Sequence, residues 1–186
     1  MKTLFTMSCI LICICGCAIP FVADQEASGT VSITYVLHRT PTSGSNQVAV
    51  WIEDEDGNYV KSLYATRYAA DGGFKQRPDT LSEWVRISGW EKASSAEVDA
   101  VSGATQPVGT RTVVWDLNDR SGVPVSTGTY IYKIEGNISR ADRVVWRGSI
   151  DVGGKGNTSM AEGIYYPTDA AEKGLLLEEV KAVYSP

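Results

Sequence analysis

Apolar and polar residues alternate with a period of two along most of this chain. Thr30 to Arg39 sets Val31, Ile33, Tyr35 and Leu37 against Thr30, Ser32, Thr34 and His38, the pattern of a strand with one face in a core and the other in water. Gln47 to Glu53 places Val48, Val50 and Ile52 opposite Ala49 and Trp51, and Tyr59 to Ala65 returns with Val60 and Leu63. Asp56-Gly57 between them predicts a hairpin turn. The acids around it lack the ligand spacing of a calcium loop. Thr110 to Trp115, Gly128 to Glu135 and Arg143 to Val152 alternate in the same way. The last stretch fits a helix through Leu176, Val180 and Val183 and a strand through Val180, Ala182 and Tyr184. Short alternating strands separated by turn residues predict an all-β sandwich.

Residues 66–107 interrupt the pattern. Gly72, Gly73 and Pro78 punctuate the first part, and Tyr68 and Phe74 have no alternation around them. Thr80 with Glu83 three residues on matches a capping box, which predicts a short helix with Leu81, Trp84 and Val85 on one face. Glu91 to Thr105 has no long apolar run. An irregular, aromatic-rich insertion of this size is long for a loop in a compact domain. Tyr68, Phe74, Trp84 and Trp90 either stack on a flat ligand or anchor the insertion to the sandwich.

The N-terminal 16 residues carry Lys2 and an apolar run from Leu4 through Ile14, too short for a permanent membrane span, and read as an export signal. Ile14-Cys15-Gly16-Cys17 resembles a lipoprotein box with Cys17 as the lipidated residue. Cleavage after Ala18 or Ala23 is the alternative. Residues 17–29 read as a tether, and residues 30–186 as one domain. All 4 cysteines lie in or beside the leader, at 9, 13, 15 and 17, so the domain has no thiol for a disulfide, a zinc site or a nucleophile. The whole chain has 17 basic and 22 acidic residues and a formal charge of -5, and loss of Lys2 makes it more negative, which argues against nucleic acid as a partner. His38 is the single histidine. Neither it nor Asp116, Asn118 and Asp119 forms a convincing metal set, and no residue pattern points to autonomous catalysis.

One short segment in the insertion carries more specific chemistry. Asp99-Ala100-Val101-Ser102-Gly103-Ala104-Thr105 is a run of small residues with a carboxylate at one end and a hydroxyl at the other. Gly103 gives it backbone freedom, and nothing bulky shields Thr105. The segment resembles the acceptor motif, Asp-x-x-Ser-Gly-Ala-Thr, of bacterial flavin transferases, which split FAD and join FMN through a phosphoester to the last Thr. The resemblance implies that Thr105 is the covalent FMN acceptor and that Asp99, Ser102, Gly103 and Ala104 are read by the transferase. Arg111 could offset the charge of the phosphodiester.

A second resemblance concerns the fold. Gly109-x5-Trp115-Asp116-x2-Asp119-x2-Gly122-x-Pro124-Val125-x2-Gly128-x-Tyr130 resembles the immunoglobulin-like module of flagellar hook-cap proteins and secreted bacterial sorting domains. Together with Val50-Trp51-Ile52, Asp56-Gly57, the Trp84 insertion and Gly103-Ala104-Thr105, it is similar to the exported bacterial family called domain of unknown function 2271, over roughly residues 30 to 184. That resemblance implies an immunoglobulin-like antiparallel β-sandwich in the periplasm or cell envelope and a final strand over Glu178 to Tyr184. Two functions follow as expectations. One is a lipid-anchored flavoprotein that carries covalent FMN between redox partner proteins and meets the membrane only through its lipid. The other is a cofactor-free envelope module that binds a protein or glycan, with exposed Trp84 or Trp90 as contacts.

Overall fold

The computed structural model describes residues 25–40 and 46–186. The leader, Cys17 and the first part of the expected tether lie outside the described residues. Ten strands form two sheets. One contains β1 (Thr30–Leu37), β5 (Gly109–Trp115), β8 (Asn157–Met160) and β10 (Leu177–Ser185), in the order β5-β1-β10-β8. The other contains β2 (Gln47–Asp54), β3 (Tyr59–Thr66), β4 (Ser102–Gly103), β6 (Gly128–Asn137), β7 (Arg143–Val152) and β9 (Glu162–Tyr166), in the order β4-β3-β2-β6-β7-β9. Every pairing is antiparallel except β3 with β4, where Ala65 faces Ser102 and Thr66 faces Gly103.

The sheets pack face to face, as the alternation requires. Val31, Ile33, Tyr35 and Leu37 of β1 meet Val48, Val50 and Ile52 of β2 and Tyr132 and Ile134 of β6 in one core. Trp115 and Tyr130 close one part of it edge to face, with centroids 5.0 Å apart. The β2–β3 turn is the expected one: Gly57 takes φ 84, and Asp54 accepts from the Asn58 backbone N–H at 2.7 Å. The domain begins before Thr30, because the Ala27 N–H donates to Val125 at 2.7 Å and Ala27 is buried. β8 and β9 occupy a region with no predicted strand, and β10 settles the ambiguous last stretch as β.

The insertion departs most from expectation. It holds three short helices, α1 (Arg67–Ala70), α2 (Ser82–Ser88) and α3 (Ser95–Val101), where one was predicted. The capping box predicted at Thr80 and Glu83 does not form. Leu81 sits at the cap with φ 46 and no side chain caps α2 from Thr80. Glu135 of β6 substitutes, accepting the Trp84 N–H at 2.8 Å and the Glu83 N–H at 3.3 Å, while Asn137 accepts from Leu81 at 2.9 Å. Glu83 instead meets Lys133 at 3.0 Å.

These contacts lay the insertion over the outer face of the larger sheet and make a second core. Ala49 and Trp51, on the face of β2 away from the sandwich interior, pack with Phe74, Leu81, Trp84 and Trp90. The Trp84 and Trp90 rings lie 4.6 Å apart. Hence β2, which alternates in sequence, is buried along nearly its whole length.

Candidate functional site

The candidate acceptor segment lies where the chain leaves the larger sheet for the smaller one. α3 is nucleated by a capping box that sequence inspection missed: Ser94 Oγ accepts from the Glu97 N–H at 3.3 Å, and Glu97 Oε2 accepts from the Ser94 N–H at 2.9 Å. Arg120 donates to Glu97 Oε1 at 2.6 Å. The hydrogen bonds from Ser94, with help from Arg120, hold the Glu97 carboxyl below its usual range. Asp99 is exposed on α3, Ser102 and Gly103 form β4 at the sheet edge, and Ala104 and Thr105 are exposed in the crossing to β5. The chain thus keeps the five motif residues on one continuous run. No hydrogen bond joins the side chains of Asp99, Ser102 and Thr105 among the described residues.

Two phenols, the buried Tyr35 and the half-buried Tyr64, hold this crossing on either side of Thr105. Tyr64 of β3 donates to the Ala104 carbonyl at 2.9 Å, and Tyr35 of β1 donates to Gln106 Oε1 at 2.6 Å. Burial pushes the Tyr64 hydroxyl up to about 12, with the Gln106 backbone acting in the opposite sense. Burial also raises Tyr35, against its bond to Gln106 and the nearby charge of Arg111. Both phenols therefore stay neutral donors at physiological pH. Thr105 itself is exposed and makes no hydrogen bond to a described residue. Tyr35, Tyr64 and Gln106 were not legible as a set, since they come from separate strands and carry no shared motif.

Gly103 serves a purpose other than the one expected. It is absent from the glycines with positive φ, so it needs no unusual backbone angle. A Cβ there would lie 2.4 Å from the Tyr64 ring, so it is the missing side chain that lets β4 close on β3. Arg111, paired in register with Tyr35, donates to the Val108 carbonyl at 2.7 Å at the foot of the crossing. Its Nε is buried with no hydrogen-bond partner.

The other candidate residues are engaged elsewhere. His38 Nε2 is 3.1 Å from Glu178. Asp116 pairs with Lys61 at 2.8 Å, and Asp119 accepts the Ser121 and Val123 N–H groups at 2.7 and 2.9 Å, which shapes the turn. Among the described residues no group of three or more His, Cys, Asp or Glu is placed to hold a metal ion. Trp84 and Trp90, expected as exposed contacts, are 0% and 4% exposed and donate their indole N–H groups to Ser62 and the Ala70 carbonyl. Their large apolar faces are needed to build the second core.

A cleft of about 280 Å³ lies between β3, α3 and β5, and Val101 at the end of α3 connects its lining to the acceptor segment. Tyr59, Leu63, Trp90, Ala100, Val101 and Val114 supply its apolar wall. Ion pairs cross it from Lys61 to Asp116 and from Arg120 to Glu97, and the Arg120 guanidinium lies 5.7 Å from the Tyr59 ring centroid. Partial burial opposes ionisation of Asp116, but hydrogen bonds from Lys61 and Asn118 outweigh it and lower its pKa.

Comparison with known proteins now decides the family. A model for predicted periplasmic proteins, DUF2271, matches residues 30–166. The chain belongs to the DUF2271 family. The match runs from β1 through β9 and includes the whole crossing, but stops before β10, short of the expected end near 184. The family description agrees with an exported, periplasmic protein and assigns DUF2271 no activity. A truncated FlgD from Helicobacter pylori (strain 26695) is similar at 13% identity over 88% of this chain and 87% of that one, with a TM-score of 0.33, too distant to decide anything further. No curated protein matches.

Proposed function

We propose that this periplasmic protein is a lipid-anchored flavin carrier, lipidated at Cys17, with FMN joined to Thr105. The observation that carries the reading is the Thr105 hydroxyl, exposed and without a hydrogen bond to any described residue, on a segment held at both neighbouring residues by Tyr64 and Tyr35. The residues present fit a phosphoester at that position. Small neighbours leave the hydroxyl open, and the Arg111 guanidinium, bonded to the Val108 carbonyl at the foot of the same crossing, is a counter-charge for a phosphodiester. Thr105 Oγ1 would form a bond to the FMN phosphorus of FAD as the pyrophosphate P–O bond breaks, AMP leaves and the hydroxyl proton passes to the transferase. Asp99, Ser102, Gly103 and Ala104 are the residues that the transferase reads. A flavin there supplies reversible redox chemistry, and the protein supplies its placement between redox partners outside the cytoplasm.

Intact-mass measurement of the full chain made together with a flavin transferase tests this. The wild type gains FMN less water and Thr105→Ala does not. No gain in either, while a control acceptor is modified in the same cells, overturns the reading. The alternative, a cofactor-free binding module, loses its named contacts because Trp84 and Trp90 are buried.

A further inference from the structure

We infer that the cleft between β3, α3 and β5 seats the isoalloxazine ring of a flavin carried on Thr105, an inference that rests on the reading of Thr105 given above. Reach is the first argument. Val101 lines the cleft and is four residues from Thr105, a separation of at most ~14 Å for extended chain, comparable to the span of a ribityl phosphate arm. Size is the second. At about 280 Å³ the cleft sits at the lower end of small-molecule sites, which begin at roughly 300 Å³, a size suited to the ring system alone with the arm outside.

The lining chemistry points the same way. Tyr59 offers aromatic surface to a flat partner, and Leu63, Ala100, Val101 and Val114 offer apolar surface. In its lining, two cations are already balanced by two carboxylates. That arrangement carries no net charge to attract an ion, yet presents donors (Lys61, Arg120) and acceptors (Glu97, Asp116) to a neutral ring whose pyrimidine edge has both carbonyls and an N–H.

The experiment uses the full chain with its adduct established by mass before any spectroscopy. In the folded wild type, flavin fluorescence is expected to be quenched several-fold relative to the same adduct in guanidinium, with an anisotropy that follows the tumbling of the whole protein. Two variants probe the cleft. Tyr59→Leu removes the aromatic wall, and Val114→Arg fills the cleft from a residue 55% exposed, outside both cores and outside the acceptor motif. Arginine is chosen because it does not quench flavins as tryptophan does. Both variants should keep the adduct and the wild-type circular dichroism, while the flavin becomes several-fold brighter and its anisotropy falls. An adduct as bright and mobile in the folded wild type as in guanidinium, or variants indistinguishable from wild type, overturns the docking and leaves the modification standing. An unmodified wild type beside a modified control overturns both.

Discussion

The two hydrophobic cores share β2 but are built on different principles. Between the sheets, Val48, Val50 and Ile52 meet aliphatic and tyrosine side chains supplied by regular strands. On the opposite face, Ala49 and Trp51 are covered by the insertion, whose short helices have little periodicity of their own. That second core depends on directed polar contacts. Each of its three indoles donates a hydrogen bond, Trp51 to Glu53 at 2.8 Å, Trp84 to Ser62 at 2.8 Å and Trp90 to the Ala70 carbonyl at 3.0 Å. Lys133 bridges Glu53 at 3.1 Å and Glu83 at 3.0 Å, and the fully buried Glu135 holds the start of α2. Arg143 Nε is 3.3 Å from Glu135 but is not aligned for a hydrogen bond, so it contributes through charge. Alternation suffices to cover a sheet with another sheet; covering it with irregular chain takes buried polar anchors in fixed places.

The sharpest way to separate the cores is Trp84→Ala, expected to cost about 3–5 kcal/mol as a large buried aromatic is lost. Hydrogen exchange should show protection lost across residues 67–101 while β1, β6 and β10 remain slow. Equal loss in those strands would mean that the cores are one cooperative unit. Next in size, Glu135→Gln should cost about 1–3 kcal/mol, since one of two buried N–H groups loses its acceptor. Its pH dependence is more telling. Burial pushes Glu135 from an ordinary 4.5 up to about 7, against the pull of the Trp84 and Glu83 N–H groups and Arg143. Between those values the folded chain keeps a proton that the unfolded chain has released. This contribution to stability is therefore full below pH about 4.5 and lost as pH rises to about 7. Urea titrations across that window should show the glutamine variant with a flatter slope.

How much of this was legible follows from the same contrast. β1 and β7 were readable because water on one face enforces the alternation of Val31 to Leu37 and Val144 to Val152. β8 and β9 were not, because Asn157–Met160 and Glu162–Tyr166 are short and poor in paired apolar positions, and Gly163 is there to admit the Trp146 ring, which a Cβ would approach to 2.9 Å. The capping boxes make the point most directly. Thr80 with Glu83 and Ser94 with Glu97 match the same pattern, yet only the second forms, because the first helix takes its acceptor from Glu135, a residue brought close only by the finished fold. For the candidate site, the motif was visible on one run of chain. The tyrosines that hold it and the cleft beside it were not, since β1, β3 and β5 supply them separately.

Smaller effects sharpen the view of the crossing itself. Gly103→Ala should cost about 1–3 kcal/mol by forcing Tyr64 aside, and should slow the proposed flavin attachment in a timed mass assay. Tyr64→Phe removes a single hydroxyl and should cost only about 0.5–1.5 kcal/mol, read by denaturant midpoint, with both cores unchanged in hydrogen exchange.

The crossing from β4 to β5 has the build of a latch. Ala104, Thr105, Pro107 and Val108 are exposed, and beyond the Arg111 bond at its foot the strap is fastened by two phenol hydrogen bonds rather than by buried apolar surface. At about 0.5–1.5 kcal/mol for each bond, a form with both phenol bonds open lies about 1–3 kcal/mol above the fastened one and would hold roughly 0.6 to 16 percent of the molecules at any moment. If Thr105 is the acceptor proposed above, an enzyme could draw it into its own site from a finished, folded protein, and the strap could refasten afterwards.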